Sequence, residues 1–215
     1  MKHWGSTGPF DESDRGEIEV LFDHRVFEYM LHALSESPSV EEGGKYVGYY
    51  LQPGNPRIEQ LGVESKNAVA IIDFLPSGPN AVRTAGELRP DGVYQEALFR
   101  RIEARDPSIE HVGTWHSHHC NGLETLSGGD IDGYFKTVNK PAYNLDFFVA
   151  SLVKRIPKTV DDPGWIDHFL FLRGAHEYSQ ITGSVKVIDW RSTFGDMTGQ
   201  ATTPQRVKRE STRRK

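Results

Sequence analysis

Between Gly113 and Asp130 the chain reads Gly-Thr-Trp-His-Ser-His-His-Cys-Asn-Gly-Leu-Glu-Thr-Leu-Ser-Gly-Gly-Asp. Two spacings in this stretch restrict what it can fold into. On an extended strand alternate residues point to the same side, so His116 and His118 share a face. At a helix start residues three apart share a face, so Ser127 and Asp130 look into one pocket. A chain that satisfies both must bring a strand end and a helix start together across a glycine-bearing loop. Two imidazoles and one carboxylate would leave a tetrahedral Zn²⁺ one open position, the layout of a catalytic centre and not of a closed structural one.

The segments around this stretch alternate in period. Glu17 to Phe22 reads as a strand, and Asp23 as the N-cap of a helix over His24 to Ser35, where Val26, Met30 and Leu34 recur at helical spacing. Ser37-Pro-Ser39 ends it. Val40 to Leu51 reads as a strand containing glycines, which in a strand mark a bulge or the close approach of another segment. After a loop at Gln52 to Gln60 built on Pro53-Gly-Asn-Pro56, Ala68 to Leu75 reads as a buried strand. A helix is expected from Asp91 to Ala104, with Val93, Ala97, Leu98 and Ile102 in phase, and Asp106-Pro107 stops it. Ile109 to Trp115 then forms the strand that delivers His116. A helix from Asp130 to about Asn139 follows, and Leu145 to Val153, Ile166 to Leu172 and Ser184 to Trp190 supply three more strands. The expected fold is mixed α/β, a single domain over 16–195 with one central mixed sheet flanked by helices. Residues 1–15 are Gly-, Ser- and Asp-rich and read as a flexible lead; residues 196–215 read as a basic, disordered tail.

Composition narrows the function classes. With 37% hydrophobic residues and apolar runs no longer than Phe147 to Val153, no membrane span is expected. The single cysteine, Cys120, excludes an internal disulfide and any zinc finger built on paired cysteines. With no secretory leader visible at Met1-Lys-His-Trp, this fits a cytoplasmic location. The net charge of −5 conceals a tail, Arg206 to Lys215, with six basic residues and one acid, leaving the rest at −10. No nucleic-acid partner is expected for so acidic a body. The tail itself reads as a solvated end, with a docking or nucleic-acid arm as the alternative.

A hydrolytic metal centre also needs a group that moves protons. Glu41 suits, because the glycines that follow it let its backbone pack against the histidine-bearing strand; Glu42 is its rival, and neighbours on a strand point oppositely, so one of the two faces the site. Glu41-x-x-Gly44-x-x-x-Gly48, then Gly113-x-Trp115-His116-x-His118, a loop, and Ser127-x-x-Asp130 resemble the JAMM (MPN-plus) metalloproteases, which include deubiquitinases and prokaryotic JAB-domain proteins. The resemblance spans Glu17 to Val153. It implies that His116, His118 and Asp130 hold one zinc ion per chain, that Glu41 and not Glu42 is the acid/base, with Glu42 dispensable, and that Ser127 stabilises the oxyanion. The chain departs from the family in two places. The loop His119 to Leu126, eight residues, is one longer, and His119 replaces the usual proline. His119 and Cys120 are expected beside the ligands or against substrate, a thiolate being a good zinc ligand. His111 reads as structural.

The resemblance further implies zinc-dependent hydrolysis of the peptide or isopeptide bond after the C-terminal glycine of ubiquitin or a ubiquitin-like protein, in deconjugation or precursor processing. Separate activating and conjugating enzymes of the same pathway are the implied partners. Two alternatives stand beside it: a non-catalytic MPN-type scaffold that binds a protein, and a JAB-like zinc hydrolase of a small-molecule conjugate. A nucleobase deaminase is disfavoured, since its Pro-Cys-x-x-Cys element is missing.

Overall fold

A computed structural model of the chain describes residues 18–51, 67–143 and 145–190. The expected lead (1–15), the loop at Gln52 to Gln60 and the basic tail (196–215) lie outside the described residues. Strands β1 (Ile18–Asp23), β2 (Gly43–Leu51), β3 (Asn67–Pro76), β6 (Glu110–Ser117), β7 (Phe147–Val153), β8 (Ile166–Leu172), β9 (Ser179–Gln180) and β10 (Lys186–Ile188) form one sheet, ordered β10-β1-β3-β2-β6-β7-β8-β9. The pairs β10–β1, β1–β3 and β6–β7 are parallel and the other four antiparallel. Strands β4 (Val82–Thr84) and β5 (Glu87–Arg89) form a separate hairpin. Among the described residues no helix is long and apolar enough to cross a membrane.

Three helices cover this sheet. Asp23 caps α1 (His24–Glu36), its Oδ1 accepting the Arg25 amide at 3.0 Å, and Val26, Phe27, Met30 and Leu34 form the buried stripe. They pack on one sheet face with Phe22, Tyr46, Ile71 and Trp115. Helices α2 (Gly92–Glu103) and α3 (Gly128–Val138) cover the other face. Leu98 and Ile102 of α2 meet Val47 and Ile72, and Val138 of α3 meets Phe148 and Phe171.

The sheet is curled around α1. Between β1 and β8 stand four other strands, so on a flat sheet these two would lie about 24 Å apart at ~4.8 Å per strand. Yet the rings of Phe22 on β1 and His168 on β8 are 4.8 Å apart, and Tyr46 stands edge-on to Phe22 at 5.3 Å. Bulges assist the bending. Pairing along β2 passes from Tyr46↔Gly113 to Val47↔His111 and skips Val112, so Val112 and Trp115 enter the same core cluster while Thr114 and His116 line the opposite side. Gly113 is required there: a Cβ on it would overlap the Val149 carbonyl oxygen.

The mixed α/β class and the single large mixed sheet match the sequence expectation. Two differences bear on the site. Val40 to Glu42 lies outside β2, which begins at Gly43, and the β4–β5 hairpin was not anticipated. The last expected strand, Ser184 to Trp190, is confined to Lys186–Ile188 and follows a 3-10 turn at Thr182–Ser184.

Candidate metal centre

Strand β6 places His116 one residue from its end, and His118 remains in ladder geometry because its amide donates to the Val153 carbonyl at 2.8 Å. Both imidazoles therefore lie on the side of the sheet facing α3, and both are buried. Asp130 comes from the first turn of α3. Ser127 caps this helix, its Oγ accepting the Asp130 amide at 3.2 Å while Asp130 Oδ2 accepts the Ser127 amide at 2.8 Å. The box fixes the carboxylate of Asp130 at the mouth of the strand.

The three donor atoms converge. Nε2 of His116 lies 3.1 Å from Nε2 of His118, and Asp130 Oδ2 lies 3.4 and 3.7 Å from them. Ligands bound tetrahedrally to zinc at ~2.0–2.2 Å are about 3.3–3.6 Å from one another, so the donor set fits a Zn²⁺-sized cation with no rearrangement of the chain. The three residues form the group able to hold a metal ion among the described residues. Burial, added to by the neighbouring His116, pushes the His118 pKa down and keeps it in the neutral form that ligates. Burial alone would raise the Asp130 pKa, but hydrogen bonding to His116 and Ser127 outweighs it and holds this carboxyl well below the usual range.

Glu41 and Glu42 are separated by their surroundings. The Glu41 amide donates to Thr84 O of the β4–β5 hairpin at 2.8 Å, and its Oε1 accepts from Asn121 Nδ2 at 2.8 Å and lies 3.9 Å from His118 Nε2. Burial raises its pKa, against the pull of His116 and with the repulsion of Asp130. Glu42 points away. Its carboxylate accepts from Ser77 Oγ at 2.6 Å and from Gly43 N at 3.0 Å, and is 3.2 Å from Arg83 Nε.

The remaining expected residues divide. Ser127 lines the cleft; since its Oγ accepts the Asp130 amide, the hydroxyl proton stays available to a partner in the cleft. His119 turns away from the ligands. The Glu42 amide donates to Ser117 Oγ (2.9 Å), this hydroxyl donates to His119 Nδ1 (2.9 Å), and His119 Nε2–H donates to Ser37 O (3.2 Å), so the replacement for proline latches the end of α1 to the end of β6. Cys120 Sγ faces Ala85 O at 3.5 Å in the hairpin turn and does not join the donor group. His111 is structural, its Nε2–H donating to Gly113 O at 2.8 Å.

Sequence reasoning missed Tyr134 and Asn121. Tyr134 Oη lies 2.9 Å from His116 Nδ1. Its position, four after Asp130 on the same helix, was the available signal. Asn121 stands in an Asn-Gly turn and was read only as loop. The hairpin supplies Gly86, Glu87 and Leu88 to the wall of the cleft, which encloses about 420 Å³.

Fold and site together define a mixed α/β protein in which two buried histidines and a partly buried aspartate form a group able to hold a metal ion beside a buried glutamate. No protein-family model matches the chain, and no curated protein matches it.

Proposed function

We propose that the chain is a zinc-dependent hydrolase of the JAMM type that cleaves the peptide or isopeptide bond after the C-terminal glycine of a ubiquitin-like protein. One observation carries the reading. Three donors at tetrahedral spacing stand next to a buried carboxylate, Glu41 Oε1, only 3.9 Å from His118 Nε2. A partner-binding scaffold has no use for a glutamate held there by Asn121 and Thr84.

Zinc, when bound, supplies Lewis acidity at the scissile carbonyl and acidifies water. Glu41 takes the proton of the attacking water, and burial equips it for this by raising its proton affinity. The same carboxyl returns the proton to the leaving amine. Ser127 donates its hydroxyl proton to the developing oxyanion. Asn121 keeps the Glu41 carboxylate oriented, and Tyr134 orients His116. Nothing in this sequence of transfers requires a covalent acyl-enzyme.

The test uses the full chain with zinc against a panel of ubiquitin-like proteins carrying C-terminal extensions. Cleavage after the terminal glycine is expected, with loss on chelation and a fall of at least ~100-fold in Glu41→Gln. Cleavage that survives both treatments overturns the proposal, as does purification of the chain without stoichiometric zinc.

A further inference from the structure

A second cavity, of about 500 Å³, lies between α2 and α3 and adjoins the metal cleft, with Lys45, Thr114, Gly129, Asp130 and Tyr134 in the wall of both. Its apolar lining comes from Phe99, Phe148 and Tyr134. Of its polar groups, Glu96 and Arg100 pair with each other at 2.7 Å, while Lys45 and Gln95 are left over. Lys45, half-buried on β2 opposite Thr114, has no carboxylate at ion-pair distance among the described residues. The acids around it are committed elsewhere: Glu96 to Arg100 (2.7 Å), Glu87 to Arg89 (2.9 Å), Glu41 to Asn121, and Asp130 to the ligand group. His111 offers no negative charge, and the nearby Lys45 adds to the burial that keeps it neutral down to about pH 4.

Gln95 adds an independent sign of a missing partner. It is 1% exposed and lines the same cavity; its Nε2 donates to Pro76 O at 3.1 Å, and its Oε1 has no partner among the described residues. An ammonium without an anion and a carbonyl without a donor, set in an apolar groove, are complementary to a ligand bearing a carboxylate and an N–H. An acidic peptide segment presents both.

We infer that the groove between α2 and α3 binds a peptide segment leading to the metal centre, and that Lys45 selects a carboxylate on it. The carboxylate is an acidic side chain of that segment, and a free C-terminal end is the rival that the test separates from it. This rests on the hydrolase reading in that the bound segment is then part of the substrate, but binding itself does not require turnover.

The test is binding of fluorescently labelled hexapeptides to the zinc-supplemented full chain carrying Glu41→Gln. Three probes are compared: acidic side chains with an amidated end, neutral side chains with a free carboxylate end, and neutral side chains with an amidated end. The probe with acidic side chains is expected to bind about tenfold more tightly than the neutral amide, as one charge-assisted contact would give, and a preference for the free carboxylate end alone overturns the assignment of an acidic segment. Lys45→Gln should erase the difference, Lys45→Arg should retain it, and Lys45→Glu should shift preference to a lysine-bearing probe. Equal binding of all three probes, no binding of any, or a carboxylate preference that persists in Lys45→Gln overturns the inference. If the carboxylate preference is found but no fusion is cleaved, the hydrolase proposal falls and this one stands. Cleavage indifferent to tail charge, together with equal probe binding, gives the reverse.

Discussion

Tyr134 Oη stands 2.9 Å from Nδ1 of His116, one helix turn beyond Asp130 on the same face of α3. If His116 presents the lone pair of Nε2 to a cation, Nδ1 carries the proton and the tyrosine oxygen accepts it. The helix that supplies the third ligand therefore also fixes the tautomer of the first. Tyr134→Phe is expected to lower metal affinity by about 10- to 100-fold, measured by competition with a zinc-binding chromophore. An unchanged affinity would show that Tyr134 only fills space.

Loading the site should stabilise the fold. A cation that binds the folded chain alone adds about 4 kcal/mol when its free concentration is about a thousand times Kd. Thermal unfolding with zinc and with a chelator is expected to differ clearly for the native chain. In His118→Ala the two curves should coincide, because the remaining donors, His116 and Asp130, no longer enclose the ion. Coincident curves for the native chain would remove the metal site.

Glu42 was expected to be dispensable, and it does face away from the ligands. Its place in a buried network nevertheless gives it structural weight. Glu42→Ala leaves the Ser77 hydroxyl, the Gly43 amide and Arg83 without their acceptor. A loss of about 1–3 kcal/mol is expected, read as a lower urea midpoint. In Glu41→Gln, by contrast, the midpoint should remain near that of the native chain while hydrolysis is lost.

His168 makes acid stability a measurable quantity. It is 3% exposed, its Nδ1 is 2.8 Å from Ser151 Oγ, and its ring lies against Phe22; burial lowers its pKa from 6.5 to about 4. The folded pKa is below the unfolded one, so the unfolded chain binds the proton first. The contribution is fully present above about pH 6.5 and is lost as pH falls toward about 4, by roughly 3 kcal/mol for a shift of this size. Chemical denaturation at a series of pH values should show this decline, and His168→Gln should flatten it. His111, shifted in the same direction, leaves a residual slope.

Much of the scaffold could be read from the chain. The helix over His24 to Glu36 announces itself by Asp23 and the Val26, Met30, Leu34 stripe. The strand at Phe147 to Val153 does so by a run that is apolar except for Ser151, since it is buried on both faces. The two histidines and Asp130 were legible because strand and helix periods fix which side each residue faces, whereas Glu41 was set apart from Glu42 only by the resemblance, both residues lying before β2. The β4–β5 hairpin was not. Val82-Arg-Thr and Glu87-Leu-Arg are short, polar and joined by Ala85-Gly86, and they hold their place through Thr84 O and Arg83, which meet residues about forty positions away. His119 was unreadable for the same reason, its partner being the Ser37 carbonyl. The unpaired charge of Lys45 becomes visible only once the positions of the surrounding acids are known.

The pairing of β1 with β10 has a consequence for assembly. Leu21 lies beside Lys186 and Phe22 beside Val187, and the Trp190 amide reaches back 167 positions to Asp23 Oδ2 at 3.1 Å. Contacts of such long range are slow to form, because a large loop must be closed before they contribute. During synthesis Glu41, His116, His118 and Asp130 all leave the ribosome before the strand that borders β1. For that interval β1 has one open edge, and a nascent chain with its ligands already synthesised can pair there with another polypeptide before its own β10 arrives.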